Sequence, residues 1–181
     1  GENCRGFLRS KEFLRLDDVI QFHGNLPYTL FMLLPRYELK SDASLTVFEF
    51  TSVGKKGEIA KIVQYSETNL KDFYNLGFGD KDLLTGEVDD KIISDNGDSQ
   101  KVLATVVATV YAFTDKYPES WIYATGSTKS RTRLYRIGLT NNLEEILQDF
   151  DLYGLKNGEW QEFAKRTEYE AFLAKRRSKK Q

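Results

Sequence analysis

Residues 126–136 read Gly-Ser-Thr-Lys-Ser-Arg-Thr-Arg-Leu-Tyr-Arg and contain no acid. They follow a short stretch with strand character at 120–125. Gly126 permits a tight turn, and Ser127 and Thr128 are residue types that cap helices. A helix starting here would offer unpaired N–H groups and the positive end of its dipole to an anion. On that helix Lys129, Arg133 and Arg136 share one side, with Arg131 beside Tyr135. Guanidinium forks match phosphate oxygens, and a neighbouring aromatic ring suits a single-stranded nucleic acid. The expected ligand site is therefore Gly126, Ser127, Thr128, Lys129, Arg131, Arg133 and Arg136, with Lys129 and Arg136 as its electrostatic rim. The segment is not a phosphate loop, because G-x-x-x-x-G-K-[ST] is absent.

An opposite charge lies upstream. Residues 79–98 hold seven acids and two lysines, a local charge of −5, against +4 over 126–136. Asp80, Asp89 and Asp90 are the possible acidic partners of the arginines, in an ion-pair network that would be structural. Together with Asp82, Asp95 and Asp98 they also form a cluster of the kind that holds a hard cation. The segment Asp95-Asn96-Gly97-Asp98 lacks the spacing and closing Glu of a calcium loop, and no metal site is assigned. Gly77-Phe78-Gly79 is half of a dinucleotide fingerprint without the strand that should precede it, and no cofactor is expected.

Hydrolytic chemistry of the triad or thiol type is poorly supplied. The chain has one histidine, His23, and one cysteine, Cys4, both near its N-terminal end. An acid–base enzyme built from carboxylates and arginine remains open. Three functions follow. The first is a binding module for phosphate or nucleic acid. The second is a metal-assisted phosphodiesterase using Asp80, Asp89 or Asp90 with the arginines. The third is a protein-interaction module whose Arg–Asp network is structural.

The elements that must position these groups come from periodicity. The 181 residues suit one domain, 40% are apolar and 13% aromatic, and the net charge is −1. That balance excludes a globally basic coat for nucleic acid. Strands are expected at 36–42, 45–53 and 58–66, the last two joined by a turn at Gly54-Lys55-Lys56-Gly57. Residues 72–90, interrupted by Gly77, Gly79 and Gly86, read as a loop anchored by Phe73, Tyr74 and Phe78, with one short strand within 88–94. Residues 98–117 carry Val102, Val106, Val110 and Phe113 at helical spacing, with Asp98 as N-cap and Pro118 as stop. One long helix, or two joined near 138–140, spans 131–150. Asn157-Gly158 marks a hairpin between 151–155 and 160–164. Residues 169–177 read as a short amphipathic helix with Tyr169, Phe172 and Leu173 inward. This order implies an α+β fold, a largely antiparallel sheet packed against two main helices.

The ends carry their own expectations. Residues 1–31 read as an N-terminal extension, with a single α+β domain over 32–177 beginning near Met32. The helix-spaced Phe13, Leu14, Leu16, Val19 and Ile20 fit an amphipathic helix equally well. Residues 174–181 hold five positive charges and no acid, the pattern of a solvated tail or of a contact for nucleic acid or an acidic partner, and 178–181 is expected as a basic tail beyond the domain. No apolar run approaches membrane-span length, so no membrane partner and a cytoplasmic location are expected.

Four segments resemble a known family: FEFTSVGKKGEIAKIVQY (48–65), FYNLGFGD (73–80), DDKIISDNGDSQKVLATV (89–106) and GSTKSRTRLYRI (126–137). Together they are similar to short bacterial proteins, chiefly from Bacteroidota, of unknown function. The likeness covers residues 35–177. It implies no activity and no catalytic residues. Members usually begin close to the strand expected at Arg36, which supports the extension reading.

Overall fold

A computed structural model describes residues 14–15, 35–89 and 94–178 of the chain. Among the described residues, ten strands form one sheet. They are β1 (Leu14–Arg15), β2 (Lys40–Ser41), β3 (Val47–Gly54), β4 (Gly57–Glu67), β5 (Phe73–Lys81), β6 (Val88–Asp89), β7 (Trp121–Ala124), β8 (Phe150–Lys156), β9 (Glu159–Glu162) and β10 (Ala171–Arg176). The described helices are α1 (Ser99–Lys116), α2 (Lys129–Asn141) and α3 (Leu143–Asp149). The order across the sheet is β1-β2-β3-β4-β5-β7-β10-β8-β9, with β6 pairing β5 off this path. Every described pairing is antiparallel except that of β5 with β7, which α1 separates in sequence. The architecture is the expected α+β.

Register explains why the helices share one face. Phe48 pairs with Val63 and Tyr65 with Leu76, so these side chains stand on the same side of the sheet. With Ile122 they form one core cluster with Val102, Val106 and Phe113 of α1. Leu152 and Phe172 continue that face into a second cluster with Leu143 and Ile146 of α3. Valine and threonine are weak helix formers, so packing must hold α1. Its buried Thr105, Thr109 and Thr114 hydroxyls donate back to the carbonyls of Lys101, Val106 and Val110 at 2.7, 2.7 and 2.8 Å, so these three are paired within the helix.

Five expectations need correction. The stretch expected as a loop is largely β5, a nine-residue strand running through both glycines. Gly79 belongs there for space, since a Cβ would lie 2.6 Å from the Asp89 carbonyl oxygen of β6. The C-terminal amphipathic helix is instead β10, hydrogen-bonded on both edges by β7 and β8. The first part of the expected basic tail is the end of this strand, where Lys175 reaches Glu119 at 3.1 Å, Arg177 reaches Asp151 at 2.8 Å and Arg176 pairs with Asp115, while residues 179–181 lie outside the described residues. The strand expected at 36–42 is only β2, and the helical break falls at Asn142 rather than at 138–140.

The expected extension lies outside the described residues, save β1, which pairs with β2. No described helix is long and apolar enough to cross a membrane.

Candidate functional site

The Gly-Ser-Thr junction does join β7 to α2. Thr128 is the N-cap, and its side chain accepts the Arg131 backbone N–H at 3.3 Å. The Gly126 N–H donates to Thr132 Oγ1 at 3.1 Å. The strand end and the first turn of α2 approach so closely that a Cβ on Gly126 would lie 2.3 Å from the Thr132 nitrogen.

Around this junction lies a groove of about 700 Å³. Gly126, Ser127, Thr128, Lys129, Arg133 and Arg136 line one wall. Lys156 and Asn157 of the β8–β9 hairpin, with Glu168 and Glu170, line the other. Six of the seven expected ligand residues therefore share one concavity. Among the described residues Lys129, Arg133 and Lys156 have no carboxylate partner. Arg136 lies 3.6 Å from the solvated Glu168 and donates to the Thr167 carbonyl. The Glu170 carboxylate accepts the Asn157 backbone N–H at 2.9 Å.

Arg131 turns the other way. It is buried, and its guanidinium donates to the backbone carbonyls of Phe78 at 3.1 Å and Asp89 at 3.3 Å. It thereby ties α2 to β5 and β6 and positions the junction. Tyr135 faces inward as well, against the core, and burial pushes its hydroxyl up to about 12. It is no surface platform for a base.

Asp80 is claimed by β4. Its carboxylate pairs with the buried Lys61 ammonium and accepts from Ser94 Oγ at 2.9 Å, and Lys61 also donates to Ser94. An ammonium held by a carboxylate has no lone pair with which to take a proton from Ser94. Asp89 is the register partner of Asp80, and Asp90 lies outside the described residues. Among the described residues no three His, Cys, Asp or Glu side chains converge to hold a metal.

Asp98 sits at the N-cap of α1 as expected, but its side chain caps nothing. It accepts from Ser52 Oγ at 2.6 Å and from the Tyr37 hydroxyl at 2.7 Å. Burial works to raise this carboxyl, but the two hydrogen bonds outweigh it and hold it below its ordinary value. A carboxylate depressed on folding stabilises the protein above its unfolded pKa, and that stability is lost as pH falls through the folded pKa. Stability should therefore drop below about pH 4. Ser52→Ala should shrink the drop, as urea midpoints compared at pH 7 and pH 3 would show.

Two features escaped the sequence reading. One is the sheet face opposite the described helices, where Phe73 stacks on Trp121 at 5.7 Å, Trp121 meets Tyr153 at 6.2 Å and Tyr123 meets Trp160 at 6.3 Å. The alternation of Trp121 with Tyr123 and of Tyr153 with Leu155 was its signal. The other is a crevice of about 370 Å³ between β5 and β7. No local motif marks it, because residues distant in sequence line it.

Against known proteins, a family model described as "Family of unknown function (DUF6934)" matches residues 33–177. No curated protein and no solved structure matches the chain.

Proposed function

The chain belongs to this family of unknown function, its match spans β2 to β10 and all three helices, and from that premise we propose that it is a binding protein for a phosphate-bearing ligand. The observation that carries the reading is the groove in which Lys129, Arg133 and Lys156 face one space without a carboxylate partner among the described residues. Like charges gathered round a concavity repel one another, and a phosphate relieves that repulsion. Guanidinium and ammonium donors on opposite walls suit its several oxygens. The N-terminal end of α2 adds a favourable potential. Nucleic acid is the extended form of such a ligand, with successive phosphates following the two walls.

The test is equilibrium binding of inorganic phosphate and of a short single-stranded RNA at several salt concentrations. The Lys129→Ala/Arg133→Ala variant should bind the RNA at least about tenfold more weakly, with a salt slope smaller by about two. Absence of binding by the wild type at low salt would remove the reading.

A further inference from the structure

We propose that the crevice between β5 and β7 is a nucleobase pocket, so that the ligand whose phosphate occupies the neighbouring groove is a nucleotide; this rests on the phosphate reading above. The crevice exists because β5 and β7 pair only at Phe73 with Trp121, Tyr74 with Ile122 and Asn75 with Tyr123. Beyond that, β5 runs on to Lys81 while β7 stops at Ala124, and the sheet parts. This is the parallel pair among the described strands, and α/β sheets take ligands where the carboxyl ends of such strands diverge. The crevice, about 370 Å³, lies within the range of small-molecule pockets.

Three of its polar lining residues have unused side chains. Gln64, Ser66 and Asn75 all line the space. Register sets them on one face, with Ser66 beside Asn75 and Gln64 opposite Gly77, which contributes no side chain. Among the described residues none of these three side chains makes a hydrogen bond. A side-chain amide offers a donor beside an acceptor, the pattern that pairs with a base edge, most familiarly adenine. Two free amides over a glycine gap make a reader for such an edge, where a bare phosphate would leave them unused. The link to the phosphate site is structural, since Gly126 and Ser127 line both the crevice and the groove.

The experiment is calorimetric titration with AMP and, as the base-free control, ribose 5-phosphate. AMP should bind at least about tenfold more tightly. Gln64→Leu/Asn75→Leu should erase that preference while leaving ribose 5-phosphate affinity and unliganded thermal unfolding unchanged. In NMR, the Gln64 and Asn75 side-chain amides should shift on adding AMP and stay in place on adding ribose 5-phosphate. Equal binding of the two compounds overturns the base pocket and leaves the phosphate reading standing. Failure of both to bind overturns both readings. Displacement of AMP by a short oligoadenylate with higher affinity assigns the base to a strand, and lower affinity assigns it to a free nucleotide; both results support the pocket.

Discussion

Asp80→Ala should destabilise the fold by about 3–5 kcal/mol, the cost of stranding a buried charge. The Lys61 side chain is 7% exposed and that of Asp80 16%, so solvent screens the pair weakly. Lys61 and Asp80 are register partners on adjacent strands, on the face that carries α1. Alanine leaves the ammonium there with Ser94 Oγ as its remaining hydrogen-bond partner among the described residues. A hydroxyl cannot replace a carboxylate's charge. The pocket beside the pair, about 350 Å³, lets water reach the orphaned ammonium and moves the cost toward the lower end. Replacing both partners tests the assignment. Lys61→Met/Asp80→Leu removes two desolvation costs with the attraction, and should be neutral or stabilising relative to wild type. Urea unfolding with unchanged m-values checks the pair of variants. An Asp80→Ala loss below about 1 kcal/mol would mean the pair is solvated, as surface pairs are.

The same pair shows what sequence carries and what it withholds. α1 was legible because its buried residues repeat locally, and the hairpins at 54–57 and 157–158 because glycine and asparagine mark their own turns. β5 was not, because the reason for Gly79 is a carbonyl of β6 at 2.6 Å, a contact ten residues away. β10 was not, because Tyr169, Phe172 and Leu173 fit helical spacing while the observed strand buries Ala171 and Phe172 and lays Arg176 across the Tyr111 and Phe150 rings. No pattern rule turns an arginine inward. Asp98 was placed correctly as a cap position, yet its carboxylate belongs to Ser52 and Tyr37. The basic groove was half legible. Six residues came from one contiguous motif, whereas Lys156 reaches it only because the β8–β9 hairpin stands opposite α2. The crevice was illegible, since it depends on where two parallel strands part.

Gly126→Ala should cost about 3 kcal/mol and weaken phosphate binding together with stability. The clash is with the main chain as well as a side chain: the added Cβ would lie 2.3 Å from the Thr132 nitrogen, 2.5 Å from Arg131 Cβ and 2.7 Å from the Arg131 carbonyl carbon. A flexible side chain could yield; the first turn of α2 can do so only by moving away from β7. That movement stretches the 3.1 Å bond from the Gly126 N–H to Thr132 Oγ1 and drags Arg131 from its carbonyl partners on β5 and β6. It also reshapes the wall that the crevice and the groove have in common. Gly158→Ala separates this from a general intolerance of glycine replacement. Gly158 has φ +80°, and apart from its chain neighbours nothing lies within 4 Å of where a Cβ would stand, so its cost is conformational alone, about 1–2 kcal/mol. Thermal unfolding ranks the two variants, and phosphate titration reads the site. A Gly126→Ala protein as stable as wild type would show that α2 is not wedged against the strand. One that loses stability but keeps full phosphate affinity would place the anion away from this junction, because the turn that the substitution displaces is the turn that carries Lys129 and Arg133.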